Sequence, residues 1–223
     1  MRKFTIFLAM LFFMNIAAAQ EIKAEVSYTY LFANQWDKAI QTYNFSRPWL
    51  AENQPLFTNG LKVSATKTYG SSTPFSHGYS LSYAYFGSLA ENENATLKLN
   101  LHFLKMGYVL HYENTERSLP LYVDFSLCAS SSFLMRKQDG TPFIYDEAWS
   151  KAFGMGGELG LKLGYRIKPT ERFQFSPFIE IGCTPFFFSP NTEAVINQTK
   201  SLAGKPWTAM LHAQSGIAFH FKR

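Results

Sequence analysis

The dominant pattern along the chain is a period of two. From Gly157 to Ile167, Leu159, Leu161, Leu163, Tyr165 and Ile167 fall on one side of an extended chain, and Glu158, Gly160, Lys162, Gly164 and Arg166 on the other. One face is oily, the other charged or bare. Glycines on the polar side predict a concave, crowded wall such as a small barrel turns toward its lumen. The same alternation fits a soluble sandwich whose oily face is the core. A turn over 168–172 leads to a partner strand. Pairing Ile167 with Phe173 keeps Phe173, Phe175, Ile179 and Ile181 on the oily face, sets Phe178 in the lumen opposite Lys162 and puts Glu180 opposite Gly160.

The pattern recurs along the chain. The first strand runs from Glu21 to Phe32, with Ile22, Val26, Tyr28 and Tyr30 opposed to Lys23, Glu25, Ser27 and Thr29. The period then changes. Trp36, Ala39, Ile40 and Tyr43 stand at i, i+3, i+4 and i+7, with Asn34 as cap, and predict a short amphipathic helix. It lies in a long connection that passes Arg47-Pro48-Trp49 and ends near Asn59. Strands follow over 61–69, 76–87 and 97–112. The last of these is irregular: Leu97, Leu99, Leu101 and Phe103 are oily at odd numbers, Leu104, Met106, Tyr108, Leu110 and Tyr112 at even ones. A β-bulge near Phe103 and Leu104 would reconcile the halves, with all these residues facing outward. A tight reversal at 105–107 is the alternative. The fifth strand covers 119–129, and Gln138–Pro142 breaks the pattern before a loop reaching about Ser150. The sixth and seventh strands are those described first. A loop over 189–206 and a strand over 207–221 complete the chain. Eight antiparallel strands put both ends on one rim. The connections near 70–76, 113–118 and 168–172 on that rim are short, and three of the four on the opposite rim are long.

Composition changes this picture in two places. Arg2 and Lys3 precede an apolar run from Phe4 to Met14, and Ala17-Ala18-Ala19 offers a cleavage site. Residues 1–19 thus read as a secretory signal peptide, and 20–223 as one domain. Without Arg2 and Lys3, 19 Lys+Arg face 16 Asp+Glu, a nearly neutral balance with no clustered basic patch, which speaks against nucleic-acid binding. Aromatics are abundant, with 22 Phe, 12 Tyr and 4 Trp. Many fall near strand ends, as in barrels that concentrate aromatics at both membrane interfaces. Cys128 is expected in the lumen and Cys183 outside, which predicts two free thiols rather than a disulfide.

With these strands, connections and the aromatic ending Phe219 and Phe221, the chain resembles the small eight-stranded outer-membrane barrels, and its style is similar to the outer-membrane β-barrel proteins of Bacteroidetes. Lys222-Arg223 extend past the usual aromatic terminus. The resemblance implies an all-β fold in the bacterial outer membrane: an eight-stranded antiparallel up-and-down transmembrane barrel with a short helix in its first long loop. Some barrels of this class are lipid-modifying hydrolases with a His and a Ser on the outer wall. Here Ser76, His77 and Ser80 come under scrutiny, but His77 and Ser80 have opposite parity.

An eight-stranded barrel is just wide enough for its own side chains. Those expected in the lumen include Lys23, Glu25, Lys62, Lys98, Asp124, Glu158, Lys162, Arg166 and Glu180, a mixed-sign network that closes it to diffusion. His102, His111, His212 and His220 are placed there as hydrogen-bonding groups. No cofactor, metal or catalytic motif is read from the chain. Function falls to the rim, where Trp36, Tyr43, Arg47 and Trp49 of the first long loop are the candidate contacts for a partner or ligand, or the helix caps the barrel mouth. The expected partners are outer-membrane lipid and, at the rim, another outer-membrane protein or a surface ligand. The rival reading is a secreted soluble β-barrel that binds a small apolar ligand, with the aromatic faces as its core.

Overall fold

The computed structural model describes residues 21–46, 53–70, 74–92, 95–113, 120–140, 150–167, 173–197 and 207–222; the expected signal peptide, and Arg47 and Trp49, lie outside them. Eight strands form one closed antiparallel barrel in chain order: β1 (Glu21–Ala33), β2 (Asn59–Gly70), β3 (Phe75–Asn92), β4 (Ala95–Glu113), β5 (Leu121–Gly140), β6 (Ser150–Tyr165), β7 (Phe173–Phe188) and β8 (Trp207–Lys222). β1 closes the barrel against β8, with Ala24 opposite Phe219 and Tyr30 opposite Ala213. Closure leaves no free sheet edge. Helix α1 (Asn34–Phe45) follows β1, and a second, unforeseen helix, α2 (Thr192–Asn197), follows β7.

The barrel is oily outside. Ile181 is 63% exposed and Leu161 48%, and Val26, Leu127, Ile179 and Leu211 are exposed with them. Lys23, Glu25, Asp124, Lys162 and Glu180 on the alternate positions are buried. Burying a charge is unfavourable unless it is paired, so the charged row turns inward only because it finds partners across the lumen.

This arrangement holds for one half of the barrel and inverts in the other. β4 pairs without interruption with β3 and β5, so the expected bulge at Phe103 and Leu104 does not exist. Lys105, Val109, His111 and Glu113 are buried inside, while Leu104, Met106, Tyr108, Leu110 and Tyr112 are exposed outside. Past Leu104 the parity continues but the chemistry swaps. Leu97, Leu99, Leu101 and Phe103 point inward and are buried, and Lys98 lies on the exposed face. Lys98 is therefore not a lumen residue. Neither is His102, whose Nδ1 meets the Tyr83 hydroxyl on the outer wall at 2.6 Å. The physical reason is α1: where a helix fills the mouth, the inward row packs against side chains rather than charges.

Three local expectations also change. Ile167 bridges Phe175 instead of Phe173, a slide of two residues that leaves every side chain on its expected face but pairs Lys162 with Glu180 and Gly164 with Phe178. Register shifts occur instead between Gly157 and Leu159 and between Thr184 and Phe187. β5 continues to Gly140. Asn34 is the first helical residue of α1, and Ala33 holds the cap position without a side-chain cap bond.

Candidate functional site

The lumen is built in two tiers. Toward the rim that carries the termini, charged side chains from all around the barrel meet. Lys162 Nζ donates to both oxygens of Glu25 at 2.7 Å and lies 3.3 Å from Glu180. Lys62 reaches Glu180 at 3.3 Å, and Lys23 lies 3.5 Å from Glu25 and also pairs with Asp124. His111 Nδ1 sits 2.5 Å from Asp124. Nearer the rim, Arg166 binds Glu21 at 2.8 Å and Glu113 at 3.0 Å, and His220 links Glu21 to Ser176. On the opposite side of the network, Lys105 and Glu158 pair at 2.5 Å, with His212 at 3.6 Å.

Rings brace the cations. Lys162 lies 4.7 Å from the Phe178 centroid and Lys23 5.0 Å from that of Tyr122. Gly164 makes room for Tyr122: a Cβ there would lie 2.2 Å from the ring. A cavity of about 30 Å³ lies within this tier, room for about one water.

The second tier is apolar. α1 seats Trp36, Ala39, Ile40 and Tyr43 among Phe86, Leu99, Leu101, Phe103, Phe187 and Met210. The Trp36 ring stacks on Phe103 at 5.9 Å and meets Phe187 edge-on at 5.8 Å. α2 adds Val195 and Ile196 to the same core. The chain returning from α1 is tied in place: Asn44 Oδ1 accepts from the Gln54 backbone N–H at 2.8 Å, and Asn44 Nδ2 donates to the Gln54 carbonyl at 3.0 Å. Burial raises the Asp37 carboxyl above its usual range, with the Ala33 backbone hydrogen bond opposing.

The predicted contact residues thus part ways. Trp36 and Tyr43 are buried and hold the helix in the mouth. What α1 presents outward includes Lys38, Gln41 and Phe45, the last 89% exposed. Phe57, Phe86 and Phe187, which receive the helix together with Phe103, carry no signal in the alternation, whereas the oily odd-numbered row of β4 marks Phe103. His77 is exposed on the outer wall, whereas Ser80 points inward to 3.9 Å from the Cys128 sulfur, so the two do not form a dyad. Cys128 and Cys183 are free.

No family model matches the chain, and no curated protein does. Solved structures do. OprG from Pseudomonas aeruginosa is similar at 11% identity, covering 92% of this chain and 97% of that one with a TM-score of 0.47. Ail, the attachment invasion locus protein of Yersinia pestis, gives 9% identity, 90% and 97% coverage and 0.44. Neisserial surface protein A gives 7% identity, 91% and 96% coverage and 0.53. At such identities the likeness is one of fold: this chain shares with Neisserial surface protein A the closed, eight-stranded, up-and-down antiparallel barrel.

Proposed function

We propose that the chain is an integral barrel of the bacterial outer membrane, closed to diffusion, whose role is structural or binding through its surface loops. The supporting observation is the inside-out wall, with Leu161, Ile179, Ile181 and Leu211 exposed around a buried charge network. A soluble carrier would need those residues as its core. The inversion along β4 supports the same reading: the oily exterior marks the stretch that meets hydrocarbon, and the stretch beyond it, polar outside and helix-filled inside, stands in water. The likeness in style to Bacteroidetes barrels belongs to this proposal and rests on sequence pattern.

Lipid surrounds the wall, and another outer-membrane protein or a surface ligand is met at the rim of long loops. There α1 ends on the exposed Phe45, with Arg47 and Trp49 next in sequence, while Trp36 and Tyr43 hold the helix from beneath. Loops mounted on a rigid scaffold are where binding concentrates. Cell fractionation tests the proposal. The protein should remain in the outer-membrane fraction after a carbonate wash and migrate differently on a denaturing gel before and after boiling. Recovery in the soluble periplasm with no heat-dependent shift would refute it.

A further inference from the structure

The rim that carries the termini is dressed unevenly on its outer face. On β6, β7 and β8 the outward side chains near it are Leu163, Tyr165, Phe173, Phe219 and Phe221. On β2, β3 and β4 they include Lys67, Tyr69, His77, Tyr79 and Tyr108, tipped with hydroxyls, an imidazole and an ammonium, with Phe75, Leu110 and Tyr112 beside them. Their rings form a continuous row: Tyr69 stacks on His77 at 6.0 Å, His77 on Tyr108 at 6.0 Å, and Tyr79 meets Tyr108 edge-on at 5.7 Å.

Lys67 is the anomaly in this row. Its register, opposite Ile22 on β1 and Tyr79 on β3, puts it on the outer wall. Yet it is only 3% exposed, and its Nζ is buried without a hydrogen-bond partner. The buried lumen lysines Lys23, Lys62, Lys105 and Lys162 each meet a carboxylate. Lys67 meets none among the described residues and rests 5.2 Å from the Tyr69 centroid. A ring face answers the charge but leaves three N–H donors unanswered. On a wall that meets lipid, an anion from outside the chain supplies a partner that the described residues do not. Lys67 pairs with the second residue of β1, so its flexible stem can swing from the ring to the headgroup layer just beyond. The tyrosine hydroxyls and His77 stand at that level as further hydrogen-bonding groups.

We propose that Lys67, Tyr69, His77, Tyr79 and Tyr108 form a binding site for the phosphate of an anionic phospholipid in the leaflet on the side of the termini. This rests on the outer-membrane reading above. The test uses the full barrel refolded into phosphatidylcholine vesicles with trace spin-labelled phosphatidylglycerol or phosphatidylcholine, and reads the motionally restricted fraction of each label. Wild type should favour phosphatidylglycerol about five-fold, the effect of one basic residue at an anionic headgroup. Lys67→Gln should abolish the preference, Lys67→Arg keep it, and Lys38→Gln on α1 leave it unchanged. Should Lys67→Gln fail to insert, the double variant Tyr79→Phe/Tyr108→Phe decides, with an expected loss of about half the preference. An inserted, heat-modifiable barrel with no preference, or one whose preference survives these changes, overturns this inference alone. A chain that never inserts overturns the outer-membrane reading as well. Abolition of the preference by inorganic phosphate at matched ionic strength would assign the site to the free anion and overturn the lipid assignment.

Discussion

Lys162 is the hub of the lumen, and its removal puts a number on the network. Lys162→Met keeps most of the stem and deletes the charge. Glu25 then retains Lys23 at 3.5 Å and the Ser64 hydroxyl at 2.6 Å, and Glu180 retains Lys62 at 3.3 Å. Removing one partner of a buried pair costs about 3–5 kcal/mol, and the surviving lysines place this variant near 3. Glu25→Gln should cost about 2 kcal/mol, because Lys162 keeps Glu180 and Lys23 keeps Asp124. The double variant removes one charge of each sign and leaves neither orphaned. It should therefore cost about 3 kcal/mol rather than 5, a coupling of about 2. Urea titration of the barrel in phosphatidylcholine vesicles, read by tryptophan fluorescence and by the gel shift of the folded form, measures all four proteins. Costs that add to within about 0.5 kcal/mol would show that the two groups are solvated separately and would refute the network.

Leu161→Arg puts a charge on the exposed wall and should destabilise the inserted barrel by about 2–4 kcal/mol near mid-bilayer, measured by the same titration. Trp36→Ala empties the space between Phe103 and Phe187 and should cost about 3–5 kcal/mol, lowering the urea midpoint without preventing insertion. Gly164→Ala drives a methyl into the Tyr122 ring and should cost about 1–3 kcal/mol; combined with Tyr122→Leu it should cost less than the sum of the two, by thermal melting. Replacing residues 35–56 with a short Gly/Ser linker should leave an inserted barrel that shows no conductance in planar bilayers, because the charged tier still closes it.

Much of this was legible in the chain because a barrel in lipid obeys a strict rule of two. Lys23, Glu25, Lys62, Asp124, Glu158, Lys162, Arg166 and Glu180 all lie in the lumen as their parity predicts. The helical spacing of Trp36, Ala39, Ile40 and Tyr43 gave α1 and its buried face. Reading failed where oily was equated with outward. In the half filled by α1 the inside is oily too, so this rule turns Leu97, Leu99, Leu101 and Phe103 the wrong way, and Lys98 and His102 with them. α2 escaped because six residues, Thr192–Asn197, are too few to show a period. Lys67 escaped because alternation assigns a face and not a depth, so nothing in the pattern marks an outward lysine as buried.

The central claim is that the oily wall meets lipid and the charged row does not. A bimane label placed one at a time at Leu161→Cys, Ile181→Cys and Leu211→Cys, with Gln41→Cys on the exposed face of α1 as the aqueous control and Cys128 and Cys183 replaced by serine, reads the wall directly. In vesicles doped with a lipid-soluble quencher, the three wall labels should be strongly quenched and the α1 label spared, with a water-soluble quencher giving the reverse. Equal quenching of all four by lipid, or quenching of positions 161, 181 and 211 from water alone, would contradict the account.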